Sequence, residues 1–165
     1  MAIKYKTIKN DFPRIKQALE SINGRKLIIG ASGDDAWLVG IHEYGCVINV
    51  TPKMRAYLHG KGLHLKDTTT QIIIPERSFM RAGHDACVGE VMNKADKVVG
   101  QLIAGKITEE QLFDMIGLAM STQIKTYARD LAAPPNHPFT QEQKGSSNPL
   151  VDTGQMIESI TWEVE

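Results

Sequence analysis

The chain has little of what usually marks a specialised protein class. It carries two cysteines, Cys46 and Cys87, with none of the close cysteine spacing that zinc or dithiol chemistry uses, so two separate buried thiols are expected. No apolar run approaches the ~20 residues that cross a bilayer. The opening Met1-Ala2-Ile3-Lys4-Tyr5-Lys6 is not followed by an apolar stretch or a small-residue cleavage site, so synthesis and folding in a cytoplasm are expected. Net charge is absent too, with 19 Lys+Arg against 19 Asp+Glu. That balance removes the broad attraction on which non-specific nucleic-acid binding depends. A phosphate-cradling glycine loop, a Gly-x-Ser-x-Gly elbow and a spaced Cys/His nucleophile pair are all missing. What remains is 165 residues, 42% hydrophobic and 23% charged, the composition of an ordinary globular chain. A chain of this length buries roughly 70% of its unfolded surface in one core, so residues 1–165 are read as a single domain.

The charge is unevenly placed. Residues 1–26 hold Lys4, Lys6, Lys9, Arg14, Lys16, Arg25 and Lys26 against Asp11 and Glu20, whereas residues 152–165 hold Asp152, Glu158, Glu163 and Glu165 with no base. Ends of opposite sign suit self-association, and a solvated helix face accounts for the basic end equally well.

Periodicity predicts an α+β fold: a small, mostly antiparallel sheet with two long helices packed on one face, plus an extended β-hairpin. Residues 2–7 alternate like a strand. A helix follows near Asn10, with Ile15, Ala18, Leu19 and Ile22 on one face and Gly24 as its stop. Lys26–Ala31 and Ala36–Tyr44 read as two strands of a hairpin turning at Gly33-Asp34-Asp35 and ending at Gly45. Residues 46–74 keep β character and are read as the extended hairpin. From Ser78 to about Ile103, Val88, Val91, Ala95, Val98 and Leu102 recur at helical spacing, widened by Met92, Val99 and Ile103. Thr108-Glu109-Glu110-Gln111 is a capping box opening a second long helix, which is expected to bury Leu112, Met115, Ile116, Ala119, Ile124, Tyr127 and Leu131. Four prolines and Gly145-Ser146-Ser147-Asn148 mark 134–149 as a mobile arm. Asp152-Thr153-Gly154-Gln155 reads as a capped short helix before a final strand, Ile160–Val164.

Three constellations offer chemistry. Leu150-Val151-Asp152-Thr153-Gly154 has the form in which an aspartic protease presents its carboxylate. That chemistry needs two aspartates sharing a proton and a substantial β core after the motif, and few residues remain, so Asp152 is read as a helix cap accepting from Gln155. His42, Glu43, His59, His64 and His84 are possible metal ligands, but His42 and Glu43 would face opposite sides of a strand. Lys53, Arg55, Lys61 and Lys66 around Tyr57 form a small patch able to touch a nucleic-acid backbone. No cofactor or metal is expected. A hydrolase, metal-dependent or protease-like, and a nucleic-acid accessory stay as alternatives.

Read in order, Ile41-His42-Glu43-Tyr44-Gly45, Ile74-Pro75-Glu76-Arg77-Ser78-Phe79-Met80-Arg81, and Pro149-Leu150-Val151-Asp152-Thr153-Gly154-Gln155-Met156 before Ser159-Ile160-Thr161 resemble the tail-completion, neck and virion-morphogenesis proteins of long-tailed double-stranded DNA bacteriophages. The resemblance covers residues 25–165. It implies a structural subunit of the virion and not an enzyme, forming a ring, usually sixfold, that joins portal or adaptor to tail tube or tail terminator while DNA passes through without sequence-specific contact, and with no membrane. The residues carrying it have physical roles of their own. Gly45 permits a turn closed to larger residues, Pro75 sets the exit from a strand, and Phe79 anchors a helix. Arg77 and Arg81 are placed to meet carboxylates of a neighbouring subunit or to stay solvated. Glu43, Tyr44, Asp152, Thr153 and Gly154 complete the set of interface candidates. The hairpin at 46–74 is longer than in many such proteins, and it is expected to contact a neighbouring subunit or partner, with 134–149 as a second candidate.

Overall fold

The computed structural model describes residues 10–165, so the strand expected at 2–7 lies outside the described residues. In chain order the elements are α1 (Phe12–Ile22), β1 (Leu27–Ala31), α2 (Ala36–Tyr44), β2 (Cys46–Asn49), α3 (Pro52–Gly60), β3 (Gln71–Ile74), α4 (Phe79–Ile103), α5 (Glu109–Asp130), α6 (Pro138–Lys144), α7 (Gln155–Glu158) and β4 (Ile160–Val164). The class is α+β. Among the described residues the sheet is divided into two antiparallel ribbons, β1 with β4 and β2 with β3.

The long helices form the centre, for the reasons legible in their sequence. Along α4 the side chains of Phe79, Cys87, Val91, Ala95, Val98 and Leu102 are buried at steps of three, four or eight. α5 starts at the capping box: the Gln111 amide donates to Thr108 Oγ1 at 3.2 Å, and the Thr108 amide donates to Gln111 Oε1 at 2.9 Å. The buried face of α5 is Leu112, Gly117, Met120, Ser121, Ile124 and Ala128, whereas Met115, expected inside, is exposed. Early α4 meets late α5, where Cys87 Sγ lies 3.3 Å from Met120 Sδ. Late α4 meets early α5, where Leu102 and Leu112 share a second core cluster, so the two helices run antiparallel. Phe79, wholly buried, contributes about 1.5–3 kcal/mol by transfer from water. α1 packs more loosely and buries no residue fully.

The strand expected at Lys26–Ala31 is present as β1, but the hairpin partner expected for it at Ala36–Tyr44 is not a strand. Ala36–Tyr44 is the helix α2, and β1 pairs instead with the distant β4, Leu27 opposite Val164 and Ala31 opposite Ile160. A short continuous apolar run does not distinguish strand from helix by period. What decides here is that Val39 and Glu43, four apart, both turn inward. Trp162 on β4 lies against Gly117 of α5, where an added Cβ would sit 2.4 Å from the indole.

Residues 46–74 pair as β2 with β3, Cys46 opposite Ile74 and Asn49 opposite Gln71, but the stretch between is a helix and a return loop, not a continuation of the strands. Thr51 caps α3, accepting from the Met54 amide at 3.1 Å with Pro52 at the first helical position. The Arg55 guanidinium then ties the return down through the carbonyls of Leu65 at 3.1 Å, Lys66 at 2.9 Å and Thr69 at 2.7 Å. No residue of 46–74 is buried.

The segment 134–149, expected as a mobile arm, contains α6; the Asn136 side-chain amide donates to the Pro149 carbonyl at 3.1 Å, and Lys144 Nζ donates to the Asn148 carbonyl at 2.8 Å. Among the described residues no helix is long and apolar enough to cross a membrane.

Gly45 is the joint between α2 and β2. Its φ is +75° and a Cβ would stand 2.9 Å from the Glu76 amide nitrogen and the Ile74 carbonyl oxygen, both backbone atoms. Gly45→Ala is therefore expected to cost about 2 kcal/mol or more. Urea midpoints at unchanged slope measure it; a loss under about 0.5 kcal/mol, within the range of ordinary surface changes, would show that the turn is not constrained.

Candidate functional site

The two motifs around Glu43 and Arg77 lie over thirty residues apart in sequence and close upon each other in space. α2 delivers Glu43 to the first turn of α4. The carboxylate is 3% exposed and accepts from the Met80 amide at 2.8 Å, the Arg81 amide at 3.1 Å, Arg81 Nε at 2.8 Å and Ser78 Oγ at 3.4 Å. Helix starts leave their first amides without partners and carry partial positive charge. Glu43 supplies from another helix the cap that Ser78 does not make with its own side chain.

Arg81 continues outward. Its guanidinium also donates to the Glu43 carbonyl at 3.2 Å and to Glu76 Oε1 at 2.7 Å, and it lies over the Tyr44 ring at 4.9 Å. Hydrogen bonding to Glu43, then to Glu76, holds it above its ordinary pKa. Arg77, 3% exposed, turns the other way. Nε donates to the Pro134 carbonyl at 2.9 Å, one terminal nitrogen donates to Asn136 Oδ1 at 2.9 Å, and the other reaches His42 Nδ1 at 3.1 Å. Arg77 is buried among partners of its own chain, while Arg81 bonds Glu43 and Glu76 with 52% of its side chain exposed. Arg77 satisfies carbonyls that the proline-rich segment leaves without partners, and Arg81 takes its carboxylates from its own chain.

Because an arginine cannot accept, His42 accepts at Nδ1 and is neutral. Burial, then the charges of Arg77 and Lys144, push its pKa down to about 4. Beyond it a cleft of about 350 Å³ is lined by His42, Asn136, Lys144, Asp152 and Thr153 together with the apolar Leu38, Leu150 and Met156. Burial lowers the Lys144 pKa as well.

The third motif therefore reaches the same neighbourhood, but Asp152 is not the cap expected of it. α7 is preceded by Gly154 at φ +88°, and Thr153 Oγ1 accepts from the Gln155 amide at 3.4 Å while Asp152 is exposed. Pro75 follows β3 directly, Phe79 sits in the core, and Tyr44 is 68% exposed beside Arg81. The histidines proposed as ligands are dispersed. His59 and His64 stack edge to face at 4.3 Å between centroids, His84 meets Asp85 at 3.0 Å, and His42 stays with Arg77. Among the described residues no three His, Cys, Asp or Glu side chains gather as a metal site.

The arrangement is a clamp. Each buried polar side-chain atom among the described residues has a partner, and the bonds fix α2, the start of α4 and the 134–149 segment around the base of the β2–β3 ribbon. Sequence reasoning did not foresee Glu76, Asn136 or Lys144 in it. With Ala36–Tyr44 taken as a helix, an inward Glu43 would have been the available signal.

Two outcomes test the clamp. Glu43→Gln, which presents an NH2 to amide donors, is expected to lose about 2 kcal/mol; a denaturation midpoint equal to wild type would remove the carboxylate from this role. Between pH 6.5 and about 4, the unfolded chain takes a proton at His42 that the folded chain refuses. Stability from His42 is thus complete above that window, declines as pH falls through it and is level below it. His42→Gln retains an acceptor and should flatten this slope, read from midpoints at several pH values; equal slopes in both chains would contradict it.

Comparison of the chain with models of known protein families, with characterised proteins and with solved structures gives no match.

Proposed function

We propose that the chain is a structural component of a long-tailed bacteriophage virion, a neck or tail-completion subunit that assembles as a ring and joins connector to tail. The observation that carries this reading is the arm at residues 46–74. It holds no buried residue, its cross-strand pair Val47 and Ile73 is 57% and 70% exposed, and Tyr57 is 63% exposed. An isolated two-stranded ribbon is marginal in water, so a sequence that builds one and roots it in a buried clamp is suited to a surface that another chain completes. Both ribbon edges present unpaired backbone groups of the kind neighbouring strands use. The order of the three motifs, which resembles the virion-morphogenesis proteins, supplies the assembly in which such an arm has a use. Portal or adaptor on one side and tail tube or terminator on the other are the partners this reading names.

Electron microscopy of particles from a phage or induced prophage lacking the gene, with and without complementation, tests it. DNA-filled heads beside unattached or aberrant tails, rescued by complementation, are expected; normally attached particles would overturn the reading.

A further inference from the structure

Two surfaces of opposite charge lie at opposite ends of the molecule. Residues 46–74 contain Lys53, Arg55, Lys61 and Lys66 against a single carboxylate, Asp67. Lys53, Tyr57 and Lys61 follow one another at four-residue steps on one face of α3 and its cap, with Lys61 Nζ 5.9 Å from the Tyr57 ring. Lys53, Lys61 and Lys66 are exposed, and none has a carboxylate partner among the described residues. At the other end, a cleft of about 470 Å³ between the start of α5 and β4 is lined by Glu109, Glu110, Asp114 and Glu163 against one guanidinium, Arg25. Arg25 is spent on Glu109 at 2.5 Å, and Asp114 accepts from Trp162 Nε1 at 3.3 Å, leaving Glu110 and Glu163 exposed with no cation partner among the described residues. Phe113 and Trp162 give the cleft an aromatic floor.

The arm is rooted at the start of α4, and the cleft stands beside the start of α5, where α4 has ended. Helix α4 has 25 residues, and at 1.5 Å per residue it separates the two surfaces by roughly 35 Å. They do not meet within one chain. Resting on the ring-subunit reading above, we propose that the basic α3 arm of one copy docks in the acidic α5–β4 cleft of the next, the Lys53–Tyr57–Lys61 face lying along Glu110, Trp162 and Glu163. Surfaces that differ at the two ends give a head-to-tail contact, which closes as a ring when the rotation between copies divides a full turn. The match of sign selects the partner and speeds encounter, while Tyr57 and Trp162 provide the anchoring apolar area.

A charge-swap experiment on the full chain tests this by sedimentation equilibrium at low and high salt. Lys53→Glu with Lys61→Glu reverses the arm, and Glu110→Lys with Glu163→Lys reverses the cleft; all four side chains are exposed, and circular dichroism verifies folding. Each reversed chain is expected to associate at least tenfold more weakly than wild type, and an equimolar mixture of the two to associate again, because each arm then finds a cleft of opposite sign. High salt should weaken the wild-type contact. Reversed chains that associate like wild type, a mixture that stays apart, or a wild-type chain monomeric at every concentration overturns the proposal. So does an arm-reversed chain that assembles normally yet loses a salt-dependent shift of duplex DNA, which assigns the arm to nucleic acid. Restored association of the mixture beside normal particles from the gene deletion would keep this contact and discard the neck reading. The opposite failure is as distinct: deletion phenotypes that the reversed genes rescue fully.

Discussion

A buried carboxylate at a helix start organises this molecule. Removing Glu43 from water costs several kcal/mol unless hydrogen bonds replace the lost hydration. The start of α4 replaces it with two backbone amides and the Arg81 side chain. In return α2 is held across the end of the longest helix. Gly45 then turns the chain so closely against Ile74 and Glu76 that β2 has one direction to leave in. The position of the ribbon follows from that bond set. On the opposite side, Arg77 ties the same junction to Pro134 and Asn136, so the proline-rich segment is fixed by an arginine whose own donors it satisfies.

Stability is consequently distributed unevenly. The core lies between α4, α5 and the end of the chain, where Phe79, Ile124, Ile157 and Ile160 are at most 1% exposed. The arm has its own internal fastenings, Thr51 capping α3 and Arg55 gripping the return loop, but no fully buried residue to resist opening. A rigid root with a marginal tip is what the proposed interface role requires of the arm.

How much of this was legible in the sequence depended on whether local signals agreed. α4 and α5 were readable because stripe, length and capping box all pointed to helix, and β4 because alternation was strict. Ala36–Tyr44 reads as a strand because the four apolar residues in a row at 36–39 carry no period, and its inward glutamate is a tertiary feature. The helix inside 46–74 had a readable start in Thr51-Pro52, overridden by the β-branched residues flanking it. Four prolines at 134–149 give no local sign that the carbonyl of Pro134 is what Arg77 binds. At the site, the grouping of Glu43, Tyr44 and Gly45 with Pro75, Arg77 and Arg81 was visible as a set of motifs. That they bond to one another within one chain was not, because the pairing spans a fold the local pattern did not specify.

Amide hydrogen exchange tests most directly whether the arm is, as proposed, an interface element completed by another chain, comparing the β2–β3 ladder with α4 and α5 at dilute and assembling concentrations. Fast exchange in the ladder of the dilute chain, slow exchange in the long helices, and protection of the ladder on assembly are expected. Ladder amides already as protected as those of α4 in the dilute chain, and unchanged by concentration, would contradict that proposal.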